Sequence, residues 1–142
     1  MLDNSVILAR LARLDEYVYR LKRFEYIELN NYLDDYDIQA VVERSLQLAI
    51  QVCIDIANYI IARKKMTFPA EQDNIFMLLG REGIIPHDLS ARVKVMVNLR
   101  NILVHDYAEI DAKRVHGILT KRLKDFSLFS SAVVNFLEKK GM

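Results

Sequence analysis

A chain of 142 residues, 52% of them hydrophobic, is long enough to bury a core and too apolar to be disordered, so residues 1–142 read as one domain. Twenty Lys and Arg against nineteen Asp and Glu leave it almost neutral, which excludes a protein that holds long nucleic acid by bulk charge; any such contact must be local. The one cysteine, Cys53, excludes an internal disulfide, and its aliphatic neighbours make it an inert buried thiol suited to a reducing compartment.

Four glycines and two prolines across long charged-and-aliphatic runs predict helices throughout. The first starts after Asp3, Asn4 or Ser5, all good N-caps, and carries Ile7, Leu11, Leu14, Val18 and Leu21 as one apolar stripe. Arg10, Arg13, Arg20, Lys22 and Arg23 lie off the stripe as a solvated face, with Tyr17, Tyr19, Phe24 and Tyr26 between them. At helical spacing these aromatics are expected in core and partner contacts rather than as stacking platforms. Polar, turn-forming residues from Asn30 to Asp35 predict a break. A long second helix follows, with Ile38, Val42, Ser45, Ala49, Val52, Ile56 and Tyr59 on one face and Leu46, Leu48, Ile60 and Ile61 widening it. So broad an apolar face predicts cover on more than one side, either as the central helix or against another subunit.

Lys64 and Lys65 suit that helix's C-terminal dipole. Beyond Pro69, Glu71 to Leu79 reads as a short helix ended by Gly80 and Gly83. Pro86, His87 and Asp88 open a fourth, whose Leu89, Val93, Met96 and Val97 lead directly into Arg100. Residues 108–111 read as a connection with Asp111 as a cap. The last helix carries Val115, Leu119, Phe126, Phe129, Val133 and Phe136, with a bend expected at Ser127, Ser130 and Ser131. There is no sustained strand alternation and no repeat. No apolar run is read as reaching bilayer length, and Met1 to Ser5 lack a basic start, so no membrane association and a cytoplasmic location are expected.

The chemistry concentrates in Arg100-Asn101-Ile102-Leu103-Val104-His105-Asp106-Tyr107. The three aliphatics seat the segment on a core and hold the polar groups at its two ends. Arginine offers a fixed cationic fork for phosphate, and histidine exchanges a proton near neutral pH. That pairing is the minimum equipment for cleaving a phosphodiester without a metal. Positions five apart on a continuous helix stand about 140° apart around its axis. Arg100 and His105 therefore converge only if the helix ends or tightens near His105, or if a second chain supplies its own copy. Residue types alone leave a plainer alternative, a helix C-terminus capped by a cationic histidine. No Glu-x-x-His pair and no two histidines three or four apart occur, and no glycine-rich phosphate loop can be written, so no metal and no cofactor are expected.

Arg followed by Asn, with four residues between the Arg and the His, and then Asp-Tyr resembles the signature of the HEPN superfamily, specifically its HepT-like branch. Glu43-Arg44-Ser45-Leu46-Gln47-Leu48-Ala49-Ile50 with Asp55-Ile56-Ala57 resembles that branch's second helix, and Gly80-Arg81-Glu82-Gly83-Ile84-Ile85-Pro86 its middle turn. The resemblance implies an all-α, up-and-down four- to five-helix bundle acting as a homodimer whose motifs face one cleft. It implies a metal-independent endoribonuclease toxin, with His105 as general acid or base, Arg100 stabilising phosphorane charge, and Asn101 and Asp106 in support. It also implies a partner, a minimal nucleotidyltransferase antitoxin that adenylylates Tyr107. The alternative is a non-catalytic module that docks the transferase or a nucleotide through the same motif.

Overall fold

The computed structural model describes residues 2–71, 74–105 and 111–140, and it is helical. Four long helices form the frame: α1 (Asn4–Lys22), α3 (Tyr36–Arg63), α5 (His87–His105) and α7 (Leu123–Lys140). Three shorter ones join them: α2 (Leu29–Asp34), α4 (Ile75–Arg81) and α6 (Ala112–Lys121). The long helices close a ring in which α1 packs on α3, α3 on α5, α5 on α7 and α7 on α1. This is the expected all-α, up-and-down bundle, with the short helices laid over its joints.

Sequence-local chemistry sets the starts of two of the long helices. Asp3 caps α1, its carboxylate accepting from the Ser5 backbone N–H at 2.9 Å, and Asp35 caps α3 by accepting from Ile38 N–H at 3.0 Å. The α1 stripe is buried as expected, with Tyr17 added to it. The expected break at 30–35 contains a helix of its own, α2. Its last carbonyls, of Tyr32 and Leu33, accept from the Gln39 side chain. A six-residue helix, Leu29-Asn30-Asn31-Tyr32-Leu33-Asp34, carries too little periodicity to be read, and it survives because Tyr32 is fully buried and the Gln39 side chain of α3 caps it.

The helix α3 is long and apolar enough by length and composition to cross a membrane, contrary to the expectation from run lengths. Fifty-six per cent of its most apolar window is buried in the bundle, the pattern of a core helix. Gly80 lies inside α4 rather than ending it; Gly83, at φ 75°, is the residue that ends it. The long last helix is two helices. Arg122, at φ −121° and ψ 2°, separates α6 from α7, while the serines expected to bend it lie within α7. Gly141 lies outside the described residues.

Candidate functional site

Helix α5 presents the motif, and three contacts along its length fix where it stands. Near its start Ser90 is fully buried against Gly80 of α4; a Cβ on that glycine would come within 2.7 Å of the Ser90 hydroxyl. Two residues on, the Arg92 Nε donates to the buried Asp125 carboxylate of α7 at 3.0 Å, and Arg92 also pairs with Asp88 at 3.2 Å. Arg92 draws the Asp88 carboxyl below its ordinary value, mainly through that side-chain hydrogen bond. Near the end of α5, Leu99 and Leu103 are buried against the core; of the aliphatic run expected to seat the segment, Leu103 is the residue whose side chain is described.

Arg100 is the third anchor. Its Nη2 donates to the Oε1 of Gln51 on α3, and its Nη1 donates to the Oδ1 of Asn101 at 3.1 Å. The Arg100 Nε is buried and has no hydrogen-bond partner among the described residues, whereas Asn101 is exposed. The guanidinium thus spans from the interior to the surface. Both acceptors are neutral amides, and no ion pair to Arg100 occurs among the described residues. Among the described residues, then, two amides and no salt bridge hold this arginine.

Behind Gln51 the polar contacts continue. Gln51 Nε2 donates to Asp55 Oδ1 at 2.9 Å, and Asp55 stands 3.9 Å from the Arg10 guanidinium of α1. Gln51 and Asp55, one turn apart on α3, line a groove of about 460 Å³ between α1 and α3 together with Arg10, Arg13 and Tyr17. Tyr17 receives the Arg13 guanidinium at its hydroxyl and the Arg20 guanidinium over its ring, while Arg23 covers Phe24, so these aromatics engage their own helix's arginines. Gln51 was invisible to sequence reasoning: it lies 49 positions from Arg100, and only its spacing to Asp55 hints at a polar face on an otherwise apolar helix.

The backbone of α5 continues through His105. Positions 100 and 105 consequently stand about 140° apart around one axis, the separation that a straight helix dictates. The His105 side chain, Asp106 and Tyr107 lie outside the described residues. The structure thus brings Arg100 and Asn101 together and seats Arg100 on Gln51.

The other histidines have different surroundings. His87 is exposed at the start of α5. His116 of α6 hydrogen-bonds the Ile27 carbonyl oxygen through Nε2 at 2.7 Å and lies beside the Tyr32 ring, which ties α6 to the α1–α2 connection. Cys53 is buried, and burial pushes its thiol pKa up, so its thiolate is suppressed. Among the described residues no three His, Cys, Asp or Glu side chains gather as a metal site.

A family model described as Ribonuclease HepT-like matches residues 11–133. The chain is 32% identical over 136 residues to a protein named tRNA nuclease HepT from Aphanizomenon flos-aquae, covering 96% of this chain and 92% of that one. It is also 32% identical over 130 residues to one named mRNA nuclease HepT from Shewanella oneidensis, covering 92% and 97%. Among solved structures, the tri-AMPylated Shewanella oneidensis HEPN toxin in complex with MNT antitoxin superposes with a TM-score of 0.83 at 31% identity, covering 95% of this chain and 99% of that one.

Proposed function

This chain belongs to the ribonuclease HepT-like family, and from that premise we propose that it is a metal-independent endoribonuclease toxin of a toxin–antitoxin pair. The observation that carries the reading is Arg100, a guanidinium held in the last third of α5 by two neutral amides, with no ion pair to it among the described residues. In the proposed reaction the ribose 2′-hydroxyl attacks the neighbouring phosphorus. The P–O bond to the 5′ oxygen breaks, and a proton passes from the attacking oxygen to the leaving one. His105 takes or gives that proton. Arg100 stabilises the charge that builds on the phosphorane oxygens. Asn101 helps hold Arg100, and Asp106 supports the motif.

The 140° between positions 100 and 105 favours a homodimer, in which each chain's motif faces a shared cleft and Arg100 of one copy serves beside His105 of the other. The two relatives are equally identical to this chain and are named for different RNAs, so the shared fold alone does not dictate the RNA. The proposed partner is a minimal nucleotidyltransferase that adenylylates Tyr107. A bulky anion there would fill the cleft and repel RNA phosphate. The AMPylated relative bound to an MNT antitoxin supports this reading.

The test is cleavage of RNA in excess chelator. Wild type is expected to cleave, with His105→Ala and Arg100→Ala each slower by at least about 100-fold, the scale of losing one group that stabilises transition-state charge. A folded His105→Ala variant that cleaves at the wild-type rate would remove the proposed chemistry. The near-neutral charge favours a second reading, a module that binds the transferase without cleaving. That reading predicts an unmodified chain, by intact mass, that forms the complex yet leaves every RNA whole.

A further inference from the structure

We propose that Gln51 is the positioning residue for Arg100: it fixes the guanidinium at the cleft while leaving its charge uncompensated. The inference rests on the ribonuclease reading above and extends it to a helix that the motif does not include. Gln51 is the centre of an ordered sequence of contacts, with Arg100 of α5 donating to its carbonyl oxygen, and its own amide N–H donating to Asp55. The orientation of that amide follows from chemistry. A guanidinium has only donors and a carboxylate only acceptors, so a flipped amide would face N–H to N–H on one side and oxygen to oxygen on the other. Asp55 therefore locks Gln51, and Gln51 locks Arg100.

The neutrality of the holder matters as much as the hold. A carboxylate at position 51 would make a stronger bond to Arg100, but as an ion pair. A phosphate would then have to compete with it for the same cation. An amide oxygen orients the guanidinium without opposing its charge, and Asn101 does the same from the other side at 3.1 Å. Of the five N–H groups on a guanidinium, these amides occupy two. Among the described residues nothing takes the second N–H on either Nη, and these two would meet the oxygens of a phosphorane.

Three variants separate hold from charge. Gln51→Leu removes the acceptor, Gln51→Glu charges it, and Gln51→Glu with Asp55→Asn reverses the inner hydrogen bond so that the hold is kept and the charge compensated. Each is measured by single-turnover cleavage in chelator across RNA concentrations. Each is also measured by the 15N-resolved guanidinium signal of Arg100, assigned by its loss in Arg100→Lys. Gln51→Leu is expected to lose about 100-fold in the limiting rate, the scale of a misplaced catalytic group, with little change in half-saturation and with collapse of the Arg100 signal. The double variant is expected to keep that signal and still cleave slowly.

A Gln51→Leu chain with wild-type cleavage or an unchanged Arg100 signal overturns the proposal, as does a double variant that cleaves like wild type. A wild type that cleaves nothing overturns the ribonuclease reading instead, and in that case the Arg100 signal still reports whether Gln51 holds it.

Discussion

Two helix ends in this chain use the same backbone device with different residues. At the end of α4, Gly83 is left-handed at φ 75°, with Gly83 N–H bonded to the Gly80 carbonyl and Ile84 N–H to that of Leu79. At the end of α3, Lys65 is left-handed at φ 57°, and Lys65 and Met66 N–H groups reach the carbonyls of Ala62 and Ile61 in the same pattern. A side chain in that region costs about 1–2 kcal/mol, part of which glycine gives back through its freer unfolded chain. Lys65→Gly is therefore expected to stabilise the protein by up to about 1 kcal/mol, read as a higher denaturant midpoint with an unchanged slope. The end of α4 was legible because glycine announces it; nothing in the residue types of Lys64-Lys65 marks which lysine turns left-handed.

The same contrast holds for Asp88. Its acidic character near the start of α5 is visible in the chain, but its hydrogen bond to Arg92, which lowers its pKa, needs the structure. A carboxyl depressed in the folded state stabilises fully above its ordinary value of 3.8 and loses that contribution as pH falls through the folded value. Asp88→Asn should accordingly melt below wild type at neutral pH, and the two melting curves should converge below pH 3.8.

Among elements, the α4–α5 contact turns on a missing side chain. Alanine ordinarily stabilises a helix interior relative to glycine by about 0.5–1 kcal/mol. At Gly80 the added Cβ would meet Ser90 Oγ at 2.7 Å and Ser90 Cβ at 2.9 Å, and Ser90 is fully buried. Gly80→Ala should thus destabilise in thermal melts. Ser90→Ala should not rescue it, because the offending Cβ remains, whereas Ser90→Gly should. The sequence offered Gly80 as a terminator; its actual role is visible only once α5 lies against α4.

The α6–α7 break was hidden for a different reason. Val115, Ile118, Leu119, Leu123 and Phe126 are all buried and keep three- and four-residue steps straight across Arg122, so the apolar pattern runs through the break unaltered. What distinguishes the two helices is Asp125, a fully buried carboxylate in the first turn of α7, placed to meet Arg92 of α5. A buried acid reads as a surface residue in any periodicity argument, because its partner is 33 positions away.

For the whole molecule, the long helices were readable from their stripes, though the last was read as one helix through α6 and α7. The breadth of α3 correctly marked it as the helix covered on several sides; the closure of the four into a ring was not readable from any stripe. The site was readable only at its motif. Arg100 and Asn101 lie on α5 near the end of the described helix, but the contact that holds Arg100 comes from α3, which no local pattern connects to α5. The proposed shared cleft makes a test at this scale. Arg100→Ala and His105→Ala chains, each inactive, are expected to regain part of the cleavage rate when mixed under exchanging conditions, because a mixed dimer can assemble one intact Arg–His pair. No recovery in a mixture that demonstrably exchanges subunits would place both groups' work within a single chain.

The helix α5 is clamped at Ser90, at Arg92 and at Arg100, each time to a different neighbour. Such a helix stores its function in a count as much as in its letters. One residue inserted between Arg92 and Arg100 would leave every functional side chain in the chain and lengthen the helix by only about 1.5 Å, yet swing everything beyond it by about 100°. Arg100 would then point past Gln51, and the segment after it would leave the helix in a new direction. Substitutions around this helix leave its register intact, whereas an insertion between its lower clamps and its upper end shifts it like a tooth added to a gear.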